Sequence, residues 1–215
     1  MNILPVYAAP VEGEGVPGAL ELGVGKVNAT MVLTEFLATR LAKEEALPEG
    51  ILLFGVAGAY PARHCKRSVD DCLEPQQLSL IARDRLADDG SLGAKGFLDL
   101  NAMGFDGAEP IAADSLLMDR ATGLLGPLPR VEGATVSTCS GTEAQSSLMA
   151  QRTVALVETM EGAAVAQVCR RFSIPLLHLR CISNFTGDKS RAQWCLRPAA
   201  QRVRAAVLRL LSEAR

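Results

Sequence analysis

Arg180 and Glu161 are the charges whose positions need explaining. Arg180 stands between Leu179 and Cys181 inside an otherwise apolar run, Leu176–Ile182. A guanidinium buried in such a run is costly unless paired, so a carboxylate or an anionic ligand is expected beside it. Glu161 follows Met160 where a shorter apolar run, Val154–Val157, passes through Glu158-Thr159 into a helix. A carboxylate is electrostatically favoured at a helix start, which by itself makes Glu161 an ordinary first-turn acid. Asn184 ends the second run after Ser183 and offers an amide donor and a carbonyl acceptor to a planar heterocycle. A carboxylate, a cation and a carboxamide on neighbouring elements can bind a polar small molecule and stabilise charge as it develops.

The elements that would carry these groups are a strand, a helix and a strand. Ala164, Val165, Val168 and Phe172 recur at helical spacing between the two apolar runs, and Pro175 closes the helix. The carboxyl-terminal ends of the two strands are expected side by side, at the edge where open α/β sheets bind ligands. The rest of the chain supplies further strands at Ile3–Ala8, Ala19–Leu22, Ile51–Phe54, Val69–Leu73, Leu78–Ala82 and Val131–Thr138. Helices are expected from Lys26, with Val27, Met31, Thr34, Leu37 and Leu41 on one face, and at Ser115–Leu125 with Ser115 or Asp114 as cap. Two more are expected at about Glu143–Gln151 and at Pro198–Arg215, the last with Val203, Val207, Leu210 and Leu211 inward. The order predicts one three-layer α/β/α domain over residues 1–215 with a mixed, largely parallel central sheet, and hairpins within 64–107.

Several other motifs carry weaker chemistry. Gly55-Val56-Ala57-Gly58 follows Phe54 as a break of small residues where a ligand can approach the backbone. Glu12 and Glu14 lie among Gly13, Gly15, Pro17 and Gly18, in what reads as a solvated loop after the first strand. Gly23-Val24-Gly25 precedes a helix, but Asn28 replaces the third glycine of a dinucleotide fingerprint and no strand-end acid follows, so NAD binding is not expected. These glycines still bring helix amides towards an anion or a sugar hydroxyl. His64 and His178 lack acidic or cysteine neighbours at metal spacing, and His178 reads as a core histidine; no metal or cofactor is expected. Cys139-Ser140-Gly141 lacks the nucleophile-elbow pattern and is read as packing.

The composition narrows the partners. The chain has 215 residues, six scattered cysteines without a C-x-x-C pair, and a net charge of −2. Nucleic acid is therefore not an expected partner, and nothing has the apolar length of a membrane span. Without a basic, apolar leader at its start, the chain is expected in the cytoplasm.

At four segments the sequence resembles the nucleoside phosphorylase/nucleosidase superfamily of the purine nucleoside and uridine phosphorylase type, with the futalosine hydrolases as the most similar branch. The segments are GVGKVNA (Gly23–Ala29), FGVAGA (Phe54–Ala59), ETMEGAA (Glu158–Ala164) and RCISNFTGD (Arg180–Asp188), in family order. The resemblance implies that Glu161 holds the ribose hydroxyls, with Thr159 and Met160 beside the sugar. It implies that Asn184 faces N7 and O6 of the base, supported by Ser183 and Arg180, with Asp188 as a nearby acid for a mobile loop. Gly55, Val56, Ala57 and Gly58 would line the ribose and water side, and Ser140, Gly141 and Thr142 the base. An acid after the first strand would activate water, Glu12 or in reserve Glu14. The implied reaction is hydrolysis of a 6-oxopurine nucleoside such as futalosine to hypoxanthine, of the menaquinone pathway, because Asn replaces the Asp of adenine-specific relatives. The alternatives are an adenosine-thioether nucleosidase, a phosphorylase or a non-catalytic nucleoside-binding protein. A homodimer or higher homo-oligomer is also implied. The chain departs from the family in the short connection between Glu14 and Gly23.

Overall fold

The computed structural model describes residues 1–66, 68, 71–107, 109–187 and 194–213. Its centre is β3 (Gly50–Ala59), in which Ile51, Leu52, Leu53 and Phe54 are at most 1% exposed. Each such side chain contributes about 1.5–3 kcal/mol when taken out of water. An uninterrupted apolar run suits a strand covered on both faces. Successive side chains here point to opposite layers. Leu52 and Phe54 pack under α3 (Ser115–Leu125) and α6 (Leu196–Ser212), whereas Ile51 and Leu53 pack under α2 (Lys26–Ala42) and α5 (Gly162–Arg171). The layers are therefore helix, mixed sheet, helix, as the sequence predicts.

Gly55-Val56-Ala57-Gly58 does not end this strand. The pairing continues to Ala59, so the small residues leave room above a continuous strand instead of breaking it. On one side β3 pairs in parallel with β1 (Ile3–Tyr7), which pairs in parallel with β2 (Leu20–Glu21). On the other side β10 (Leu176–Phe185) runs parallel to it, from Leu176 opposite Ile51 to Phe185 opposite Ala59. Beyond β10 come β4 (Leu78–Leu86), antiparallel, and then β8 (Arg130–Thr135) and β9 (Val157–Thr159), each parallel to the strand before it. β9 pairs antiparallel with Gly58 and Ala59 of β3, so β3, β10, β4, β8 and β9 close into a ring. Closure removes strand edges that would otherwise be unpaired.

The ring corrects one expectation. The ends of β9 and β10 are not paired neighbours; β3 lies between them, and β9 runs against it. The first apolar run also starts later than expected. Val154, at φ 58°, ends α4 (Glu143–Thr153), so the strand begins at Val157 and takes in Glu158 and Thr159. Glu161, where α5 starts, still reaches β10, at Arg180.

Other differences are local. Glu12 lies on a helical turn, α1 (Pro10–Gly13), not in an open loop. In α2 the packed row is Ala29, Leu33 and Leu37; Val27, Met31 and Leu41 are 70%, 63% and 52% exposed. The i, i+4 row that meets Val165 and Val168 of α5 wins over the larger residues beside it. Of the strand expected at Val69–Leu73, Val69 lies outside the described residues and Cys72-Leu73 form no strand. The 64–107 region does hold a hairpin, β5 (Gly90–Gly93) with β6 (Gly96–Asp99), while β7 (Ile111–Ala112) pairs antiparallel with β4. Asp114 caps α3 by accepting from Leu117 N at 2.9 Å, a bond whose loss typically costs ~1 kcal/mol. In α6, Val203, Val207 and Leu210 are buried as expected. No described helix is long and apolar enough to cross a membrane.

Candidate active site

Glu12 is delivered to the glycine end of β3 by the α1 turn and is 3% exposed. Its Oε2 accepts from Ala8 N at 3.1 Å and Ala9 N at 2.9 Å, and its Oε1 from Val56 N at 2.8 Å. Backbone donors from two elements thus fix the carboxylate. Glu14 is placed otherwise: its side chain is 74% exposed and pairs with Arg204 Nη1 at 3.4 Å. The short connection to Gly23 therefore still carries one acid inward. A β-carbon on Gly55 would collide with Glu12 Oε1 and Arg180 Nη1, which explains a glycine at that position.

Arg180, opposite Gly55 in the β3–β10 register, is 1% exposed. The carboxylate partner that its burial demands is present twice. Nη2 lies 3.4 Å from Glu161 Oε2, and Nη1 lies 3.9 Å from Glu12 Oε1 while donating to Val56 O at 3.2 Å. Glu161 Oε1 also accepts from Gly25 N at 2.9 Å. The G-x-G amide at the start of α2 does meet an anion, and that anion is Glu161. Burial raises the Glu161 pKa, opposed by the Arg180 charge and the Gly25 amide.

Behind Arg180 lie two residues to which the sequence assigns no role. Arg180 Nε donates to His178 Nε2 at 2.8 Å, and His178 Nδ1 lies 3.7 Å from Asp84 Oδ2. Burial and the Arg180 charge push the His178 pKa well below its ordinary value, so the ring is neutral. Asp84 Oδ1 accepts from Thr135 Oγ1 at 2.9 Å, while Oδ2 has no hydrogen-bond partner among the described residues. Burial pushes the Asp84 pKa up from 3.8 to about 7, against the Thr135 hydrogen bond and the Arg180 charge.

The sign of the consequence follows from linkage. Between the unfolded and folded pKa values the native state holds a proton that the unfolded chain has lost, so stability falls as pH rises through that window. Asp84→Asn removes this penalty. Relative to the parent, the variant is expected to gain on the order of 4 kcal/mol at pH 8 and less than about 1 kcal/mol at pH 4. Denaturant titrations at the two pH values check this; an equal change at both would contradict it.

The base side is built at the tip of β10. Ser183 Oγ lies 2.7 Å from Asn184 Oδ1 and 3.2 Å from Ala57 O, and Asn184 Nδ2 donates to Phe185 O at 2.8 Å. These bonds hold the carboxamide in one orientation, and Gly58 lies opposite it in the register. Ser140 is buried: its N and Oγ donate to the Glu158 carboxylate at 2.8 and 2.5 Å, and Tyr60 OH donates to Glu158 at 3.0 Å. Ser140 O accepts from Gly187 N at 3.0 Å, which ties this loop to the end of β10. Gly141 N donates to Gln145 Oε1 at 3.3 Å, and Thr142 caps α4. The Thr159 hydroxyl is buried, 3.1 Å from Thr135 Oγ1 and 3.4 Å from Gly162 N, and so faces the start of α5. Met160 is partly exposed at the turn before Glu161. Asp188 lies outside the described residues.

The structure thus joins Glu12, Gly55, Val56, Glu161 and Arg180 in one cluster, and Ala57, Gly58, Ser183 and Asn184 in another along the same strand pair. Asp84 had a signal in the sequence. Arg83 and Arg85 flank it in a strand, so period-2 alternation turns Asp84 inward.

A family model described as the phosphorylase superfamily matches residues 7–212. A futalosine hydrolase of Thermus thermophilus is 33% identical over 198 residues, covering 90% of this chain and 80% of that protein. A 5'-methylthioadenosine/S-adenosylhomocysteine nucleosidase of Shewanella putrefaciens is 28% identical over 174 residues, covering 78% and 68%. The native structure of futalosine hydrolase from Helicobacter pylori matches with a TM-score of 0.77 at 20% identity, covering 98% of this chain and 97% of that one. That last likeness is one of fold.

Proposed function

The chain belongs to the phosphorylase superfamily, and on that premise we propose that it hydrolyses the N-ribosidic bond of a 6-oxopurine nucleoside, with futalosine the favoured substrate. It is an N-glycosyl hydrolase. The observation that carries ribosidic-bond hydrolysis is the pair of buried carboxylates, Glu12 and Glu161, facing one buried guanidinium beside the glycine strand, while the choice of a 6-oxopurine rests on Asn184. Glu161 is suited to the ribose hydroxyls, where its charge stabilises an oxocarbenium-like sugar. As the bond from C1' to the purine nitrogen breaks, its electron pair passes to the base, which takes a proton at N7 from solvent. Water adds to C1' and gives its proton to Glu12. The Asn184 carboxamide donates to O6 or accepts from protonated N7, which suits hypoxanthine as a leaving base.

Water is favoured over phosphate as nucleophile by the fate of the nearby cations. Lys26 pairs with Asp88 at 2.6 Å and also with Asp89, and Arg63 Nη2 pairs with Glu143 at 2.7 Å. Neither is left to bind a dianion. Adenosine-thioether cleavage is the second reading, favoured by the Shewanella relative.

A nucleoside panel read by base release separates the two. Hypoxanthine release exceeding adenine release supports the first, and the reverse supports the second. Asn184→Asp is expected to shift the ratio of the two specific activities towards adenine by roughly 10–100-fold, the worth of one hydrogen bond to an ionised group. An unchanged ratio would remove Asn184 from base recognition.

A further inference from the structure

Arg180 is the hub of the proposed site, and its contacts from behind are as specific as those in front. Guanidinium nitrogens only donate, so His178 Nε2, 2.8 Å from Arg180 Nε, must accept. A neutral imidazole then carries its hydrogen on Nδ1, and Nδ1 faces Asp84 Oδ2 at 3.7 Å. That oxygen is buried and makes no hydrogen bond among the described residues. Room for it is made by two glycines. A β-carbon on Gly162 would collide with Asp84 Oδ2, and one on Gly133 would sit 2.9 Å from it. Asp84 and His178 are 2% and 1% exposed, so neither reaches solvent or substrate. An apolar pair would fill the same volume without the cost of an under-satisfied carboxylate, which leaves orientation as what the polar pair supplies.

We propose that Asp84 and His178 are positioning residues: they set the imidazole tautomer that receives Arg180 Nε, and so fix the rotation that turns Nη1 towards Glu12 and Nη2 towards Glu161. The relay rests on the nucleosidase reading for its kinetic consequence, but not for its geometric one.

The test uses three single variants of the whole chain. His178→Leu keeps an apolar volume and removes the acceptor; His178→Gln restores a carbonyl acceptor. Loss of orientation is expected to lower kcat by about 10²-fold in the Leu variant, with KM changed much less, and the Gln variant is expected to recover most of it. Asp84→Asn is expected to be slower than the parent while more stable at pH 8, a split that loss of packing does not produce. Equal rates for the Leu and Gln variants would overturn the proposal, as would Asp84→Asn losing rate and stability together. A crystal structure of His178→Leu gives the readout that is independent of turnover. Arg180 rotated away from Glu161 supports the relay; Arg180 in its parent position overturns it. Should the parent release no base from any nucleoside, the nucleosidase reading fails, while the crystal structures still decide the relay.

Discussion

Glu12→Gln is expected to lower kcat for base release by about 10²–10⁴-fold, the usual worth of a positioned general base. The carboxylate accepts from Ala8 N, Ala9 N and Val56 N. A glutamine of the same shape can present its carbonyl to only one of those sides, so its amide must face a backbone donor on the other. The variant therefore loses both the base and part of the anchoring. Leaving one buried donor unpaired costs about 1–3 kcal/mol, which a thermal melt can measure alongside the kinetics. KM is expected to change little, because Glu12 is assigned to the water and not to the nucleoside. A variant that melts lower yet retains the parent kcat would show that Glu12 is structural.

Glu161→Gln is the second large effect. Its carboxylate is held by Gly25 N at 2.9 Å and by Arg180 Nη2 at 3.4 Å. A glutamine can still accept from the amide, but it brings no negative charge to the sugar and leaves the Arg180 guanidinium one partner short. Loss of one preorganised electrostatic contact to a transition state typically costs about 10²–10³ in kcat. A nucleoside analogue whose ribose mimic carries a positive charge should lose affinity for the variant more than the neutral substrate does. Equal losses would mean that Glu161 binds ground state and transition state alike. The parent should also bind the charged mimic less well as Glu161 is protonated at low pH.

What the sequence discloses divides along physical lines. The three layers, β3, β10 and the terminal helix were legible because long apolar runs and helical spacing report burial directly. Arg180 was legible because a lone cation in an apolar strand requires a partner, and the structure supplies Glu161 and Glu12. The ring closure was not legible. β9 has three residues, and its antiparallel pairing with Gly58 and Ala59 depends on where α4 stops, at Val154 in the left-handed region. The inward face of α2 was misread because the apolar residues Val27, Met31 and Leu41 outweigh Ala29 by size, whereas contact with α5 selects the row containing Ala29. Glu12 read as a loop acid because a single helical turn has too few residues for a periodic signal. The Asp84–His178 pair escaped because its partners lie far apart in the chain and meet only when β4 and β10 pair.

In the proposed reading the cluster around Arg180 and the carboxamide of Asn184 serve one reaction, and one measurement tests it most directly. Purified protein is incubated with futalosine in phosphate-free buffer, and free hypoxanthine is quantified over time, with a parallel sample containing phosphate. Hypoxanthine release at the same rate in both samples is the expected result. Release only where phosphate is present, or no release in either sample, would contradict hydrolysis of a 6-oxopurine nucleoside by this site.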